Sequence, residues 1–167
     1  MSFTGRLLVA TPLIHDPNFV HSVVYLYAHN VDEGAAGVIL NRPSDEPTVD
    51  HLPDWRSALA APPSVFWGGP VASTSGVVLM VESGEIFLAE DLEPPSGAVR
   101  ARLFVGQAGW GPGQLEQEIS EGAWLVTDAL PEDVLAPFPD AIWSRVLRRH
   151  GGPAALWATL PVDPSVN

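Results

Sequence analysis

Apolar residues come in short runs, broken at close intervals by proline, glycine and polar clusters. Residues 3–11 form the first run and read as a strand, closed by Pro12 and the turn cluster Asp16-Pro17-Asn18. From Val20 to His29 the odd positions carry His21, Val23, Tyr25, Tyr27 and His29, and the even ones Val20, Ser22, Val24, Leu26 and Ala28. Both sets are mainly apolar, which predicts a strand covered on both sides. Residues 37–41 form another short strand, stopped by Arg42-Pro43. The stretch 44–64 is proline-rich and predicts helix only over 54–61. Val65-Phe66-Trp67 reads as a strand entering the corner Gly68-Gly69-Pro70. Residues 77–82 and 85–89 flank Ser83-Gly84, the spacing of a two-residue hairpin. Residues 92–97 read as a loop, 99–105 and 123–127 as strands, and 112–120 as a helix with Leu115 and Ile119 one turn apart. Over 140–150 the pattern is helical: Asp140 stands where it can cap the start, and Gly151 and Pro153 end it. The sum is about seven strands and three or four short helices, with strands clustering before helices, which predicts α+β. Residues 1–160 are expected to form one domain, with a frayed tail over 161–167.

The chain has 167 residues, enough to bury a core without staples. It contains no cysteine, which removes disulfides, thiolate nucleophiles, Fe–S clusters and Cys-ligated zinc. All eight basic residues are arginine, so lysine-based phosphate binding and Schiff-base chemistry are excluded as well. Net charge is −12, a field that opposes polyanionic nucleic acid and anionic membrane surfaces. Acid is concentrated over residues 44–93, where nine carboxylates meet one base, Arg56. That stretch is either a solvated face or a docking surface for a basic partner. No apolar run is long enough to span a bilayer, and the N-terminal run is too proline-interrupted for a signal peptide, so a cytoplasmic protein is expected.

The most unusual segment is Gly106-Gln107-Ala108-Gly109-Trp110-Gly111-Pro112-Gly113-Gln114-Leu115-Glu116, placed between a strand and a helix. Glycine lets a backbone approach a ligand closely, and such a corner offers N–H groups to a phosphate or carboxylate beside Trp110. It is equally a strand-to-helix corner that seats Trp110 in the core, and its spacing does not fit the dinucleotide fingerprint. Gly68-Gly69-Pro70 is a second corner that could edge the same pocket. His15, Asp16, His21 and His29 are the N-terminal titratable cluster; their spacing does not predict a metal site. Asp16 suits a turn, where a carboxylate bonds backbone N–H groups. Serine nucleophile chemistry finds no elbow motif. Arg145, Arg148 and Arg149 share a helix face as the only basic cluster, suited to the helix C-terminus or to a small phosphate footprint.

Several of these segments together resemble the bacterial YqgE/AlgH family. They are Gly5-Arg6-Leu7-Leu8-Val9-Ala10-Thr11-Pro12, Asp16-Pro17-Asn18-Phe19-Val20-His21-Ser22-Val23, His29, the run from Gly34 to Pro43 with Leu40-Asn41-Arg42-Pro43, Gly68-Gly69-Pro70-Val71, and Ala108 to Glu116. Trp124, Trp143 and Gly151 also fall in step. Two positions depart: His21 stands where relatives more often carry arginine, and Gln107 where they often carry an aromatic residue. The resemblance implies a compact single α+β domain with a strongly bent, bifurcated mixed sheet that includes a small barrel-like part, flanked by short helices. It implies no particular reaction, although members are commonly labelled transcriptional regulators. The expectation is therefore a non-enzymatic binding or regulatory protein, with no cofactor and no metal, acting through a protein partner or a small anionic ligand. Its expected site is the edge formed by Gly109, Trp110, Gly111, Gly113 and Gln114 with Asp16, His29, Asn41 and Arg42 nearby, Arg42 supplying the positive charge. The alternatives are a hydrolase using His29 with Asp16, and direct nucleic-acid binding.

Overall fold

A computed structural model describes residues 2–159; the tail expected to fray over 161–167 lies outside them. Nine strands form a single sheet: β1 (Arg6–Ala10), β2 (Val23–Asn30), β3 (Gly34–Ile39), β4 (Pro43–Pro47), β5 (Ser64–Trp67), β6 (Val71–Glu82), β7 (Glu85–Leu88), β8 (Arg100–Trp110) and β9 (Trp124–Asp128). Four short helices follow or interrupt them: α1 (Gln114–Ser120), α2 (Pro131–Val134), α3 (Ile142–His150) and α4 (Ala154–Trp157). None is long and apolar enough to cross a membrane. The sheet runs β4-β5-β8-β3-β2-β1-β9, and β6 and β7 branch from β8. Only β5 and β8 pair in parallel. The architecture is the α+β single domain with a bifurcated mixed sheet that the resemblance implies. The sheet stays open, however, with β4, β9 and β7 as edges, so no closed barrel forms.

β8 makes the fork. Its first half pairs with β6, from Val81 opposite Arg100 to Gly76 opposite Val105, and its end pairs with β3, Gly37 opposite Ala108 and Ala35 opposite Trp110. Gly106 sits between the halves with φ 80°, and a Cβ there would lie 2.2 Å from the Gly69 carbonyl oxygen. Reciprocally, a Cβ on Gly69 would lie 2.2 Å from the Gln107 carbonyl carbon. The two glycine corners do meet, but backbone fills the space between them. The expected shared pocket is therefore absent, and the segment to Trp110 is strand rather than corner. Gly106→Ala is expected to destabilise by at least about 2 kcal/mol, from left-handed strain plus overpacking. Urea unfolding measures it, and a loss below about 0.5 kcal/mol contradicts the close approach.

Alternation along the central strands feeds two cores. Leu7, Val9, Val23, Tyr25, Val38 and Leu40 pack with Ile142, Trp143, Val146 and Leu147 of α3. Leu8, Ala10, Val24, Leu26 and Ile39 pack on the opposite face with Trp110, Leu115 and Trp124. The sheet is thus covered on both sides, as the pattern of β2 predicts. A third cluster places Leu52 and Trp55, from the short 3-10 turns at 48–58, against Val78 and Leu103. The remaining differences are local. Pro43–Pro47 pairs as an edge strand, where a missing N–H is tolerated. His21 precedes β2 rather than belonging to it. Asp140 lies in the 3-10 turn Pro139–Ala141 and makes no cap bond to α3.

Candidate functional site

The two-sided sheet divides the expected site. Asp16, Gly109, Trp110 and Gln114 line one cleft of about 310 Å³ on the α1 side. Asn41 and Arg42 line another of about 290 Å³, together with Trp143 and Ser144 of α3. Trp110 and Trp143 belong to opposite cores, so the composite site does not form. The turn over 16–21 partitions the clefts: Asp16 and Phe19 face the first, Pro17, Val20 and His21 the second. His29 lines neither. Gly111 and Gly113 serve the entry to α1; Gly111 N–H donates to the Gln114 side chain at 2.9 Å, and Gly113 holds φ 74° as the residue before the helix.

In the α1-side cleft, Glu118 organises the aromatic groups. Its Oε1 accepts from the indole N–H of Trp110 at 3.0 Å and of Trp124 at 2.9 Å, and its Oε2 from Gln114 at 2.9 Å. Phe19 packs edge-on against Trp124, 5.9 Å between ring centroids. The tryptophan of the glycine segment is thus seated in the core with its N–H satisfied. Glu118 was not among the expected residues, although its four-residue spacing from Gln114 on one helix face makes that pair readable.

The hydrolase pair fails on geometry. Asp16 accepts the Asn18 N–H at 2.8 Å, the turn role its sequence suggests. His29 is 1% exposed at the side chain and pairs with Glu116 through Nε2. Its Nδ1 accepts the Phe3 N–H at 2.9 Å, so the ring proton resides on Nε2 and is donated to the carboxylate. Neither nitrogen is available as a base. The hydrogen bond from His29 holds the Glu116 carboxyl below its ordinary pKa, and a backbone hydrogen bond adds to this. Folding therefore favours ionised Glu116; its contribution is complete above the ordinary carboxylate range and disappears as pH falls through the lowered folded value. Stability measured from neutral pH into that acid range is expected to fall less steeply for Glu116→Gln than for the parent, and superimposable profiles contradict the pairing.

The α3-side cleft differs in kind. Asn41 clamps the turn before β2, its Oδ1 accepting from Val23 N–H at 3.1 Å and its Nδ2 donating to the His21 carbonyl at 2.9 Å. That clamp fixes His21 in the left-handed region, φ 55°, a conformation that costs a histidine free energy. The His21 ring is 8% exposed and stacks on Trp143 with centroids 3.9 Å apart. Its Nδ1 is buried and has no partner among the described residues. Burial lowers the pKa of His21, and the charge of Arg42 lowers it further; both favour the neutral ring. Arg42 is half-buried and donates to the carbonyls of Val20 and Asn41. Among the described residues it forms no ion pair. Burial lowers its pKa, while Asp140 across the cleft acts in the opposite direction.

Two of the three arginines of α3 are engaged elsewhere. Asp133 holds Arg145 at 3.2 Å and Arg149 at 2.7 Å, which leaves Arg148 as the one member of that cluster outside this network.

A family model described as AlgH-like matches residues 7–155. The chain belongs to the AlgH-like family. This AlgH-like chain is 47% identical to a UPF0301 protein of Streptomyces coelicolor, over 99% of its own length and 96% of the relative's. It is 42% identical to a UPF0301 protein of Thermobifida fusca, over 100% and 96%. A crystal structure of a Corynebacterium diphtheriae protein superposes with TM-score 0.83 at 30% identity, covering 94% of this chain and 92% of that one. The solution structure of the AlgH protein from Pseudomonas aeruginosa superposes with TM-score 0.69 at 29% identity, covering 96% and 95%. In this AlgH-like fold the Leu40-Asn41-Arg42-Pro43 segment carries the clamp on His21 and the guanidinium of the α3-side cleft. His21, Trp143 and Asp140 complete that cleft. Residue type singles out Arg42 in the sequence, but nothing local to positions 21, 140 or 143 pairs them with it.

Proposed function

We propose that this AlgH-like chain is a non-enzymatic binding protein of the cytoplasm, acting in regulation through a small anionic ligand held at Arg42. One observation carries the reading: a half-buried guanidinium fronts a cleft with backbone carbonyls as its only described partners. A buried cation normally has a counter-charge, and a carboxylate or phosphate oxygen supplies one. The cleft, at about 290 Å³, suits a metabolite rather than a polymer. Binding is favoured over catalysis because His29 and Asp16 do not pair: the His29 ring is taken up by Phe3 and Glu116, and Asp16 accepts from Asn18 in its own turn. Direct nucleic-acid binding is disfavoured by the charge of −12 and by the commitment of Arg145 and Arg149 to Asp133.

A thermal-shift panel of nucleotides, phosphorylated metabolites and small carboxylates tests it. A ligand at 100-fold its dissociation constant should stabilise by about 2.7 kcal/mol, or roughly 5–10 °C. The shift should vanish in Arg42→Gln, which keeps a donor for the Val20 carbonyl. A flat panel, or a shift that survives Arg42→Gln, overturns the reading and favours a protein partner.

A further inference from the structure

The α3-side cleft holds one charge of each sign that do not contact each other. Arg42 and Asp140 both line it, and Asp140 is close enough to act on Arg42 electrostatically without forming an ion pair. Here Arg42 is held by the Val20 and Asn41 carbonyls, and Asp140 is fixed in the short turn leading into α3. The ring of His21 lines the same cleft, buried, at positive φ, and with its Nδ1 unpartnered among the described residues. A buried polar side chain left unpaired calls for an explanation, and so does a non-glycine residue held at positive φ.

We infer that the cleft between Arg42 and Asp140 binds a zwitterion, an α-amino acid whose carboxylate meets Arg42 and whose ammonium meets Asp140. The inference rests on the anion reading above and names the second group that the ligand carries. Arg42 presents its unused N–H donors to the carboxylate, with His21 beside it in the lining of the same cleft. Asp140, exposed at the rim, offers acceptor-only oxygens to an ammonium. Val20, Pro17 and the Trp143 ring supply the apolar wall for a side chain. A plain carboxylate satisfies Arg42 but leaves Asp140 facing like charge; a polyanion meets Asp140 as an outright repulsion. The chemistry of the cleft therefore ranks amino acid above simple acid, and simple acid above phosphate.

The experiment is a thermal-shift and calorimetric comparison of the proteinogenic L-α-amino acids with their amine-free acids and their decarboxylated amines. At least one amino acid should bind tenfold or more tightly than its amine-free acid, and its decarboxylated amine should not bind measurably. Asp140→Asn should erase the preference for the amino acid while retaining carboxylate binding. Arg42→Gln should abolish both. If amine-free acids bind as well as amino acids, or if Asp140→Asn leaves the preference intact, the zwitterion is wrong and the anion site stands. If no amino acid binds at about 10 mM, near the weak limit of specific recognition, the zwitterion is likewise wrong. If binding survives Arg42→Gln, both readings fall.

Discussion

Asp133→Ala is expected to destabilise the protein by about 3 kcal/mol and to lower its melting temperature by roughly 10 °C. Asp133 is 0% exposed. Its Oδ2 accepts from Leu130 N–H at 2.8 Å and from Arg149 at 2.7 Å, and its Oδ1 accepts from Arg145 at 3.2 Å and from Arg149 at 3.0 Å. One carboxylate thus starts α2 and ties it to two turns of α3. Removing it takes the shared hydrogen-bonded carboxylate from two partly exposed guanidinium groups and the acceptor from the Leu130 N–H, leaving Glu132 and Asp128 to act on Arg149 only through space. Arginine is too strong a base to escape by losing its proton, so both cations persist in the variant. Arg148→Ala, outside this network, should change stability by less than about 0.5 kcal/mol. Equal losses for the two variants would show that the helix needs basic charge in general rather than this network. The result also bears on function, since a network of this strength removes two of three arginines from any phosphate contact.

Arg102→Ala should cost about 3 kcal/mol, from two opposed effects. Arg102 is 2% exposed, lies 4.3 Å over the Phe66 ring, and donates to the carbonyls of Val134 at 2.9 Å, Ala136 at 3.1 Å and Ala61 at 2.6 Å. Truncation orphans two buried acceptors, each worth about 1–3 kcal/mol, frees the partly exposed Ala61 carbonyl to water, and opens a cavity. Against this, burial has already lowered the guanidinium to about 10, so the cation carries a desolvation penalty that truncation relieves. Arg102→Met, which fills the space without a charge, should therefore lose less, about 2 kcal/mol. Chemical denaturation of both variants separates the effects, and a Met variant worse than Ala contradicts this balance.

Much of the strand pattern is legible because local chemistry decides it. Ser83 and Gly84 hold φ 53° and 79°, the mirror-image turn that such a pair favours, and the hairpin of β6 and β7 follows. Gly151, at φ 79° with its N–H bonded to Leu147, ends α3 where the sequence places the stop. β8 is less legible beyond Val105. Glycine is a poor strand former, yet β8 continues past Gly106, itself at φ 80°, because Gly68, Gly69 and β3 approach its backbone closely, a long-range fact with no local sign. The candidate site divides for a similar reason. Asn41, Arg42 and Trp110 are recognisable by type, but the face of the sheet on which each stands depends on strand pairings across dozens of residues. Asp16 was readable in its turn role because an Asx turn is local. His29 was not, because Phe3 and Glu116 reach it from distant segments.

The central claim is that Arg42 and its cleft form the binding site. Amide and indole chemical-shift mapping tests it most directly, with isotope-labelled protein titrated with acetate, phosphate and the amino acid of largest thermal shift. The account predicts perturbations centred on His21, Asn41, Arg42 and the Trp143 indole, on the α3 side of the sheet, and none there in Arg42→Gln. Perturbations centred instead on Gln114, Glu118 and Trp124, or on Arg56 and Arg100 around the separate cavity that those two line, would contradict it.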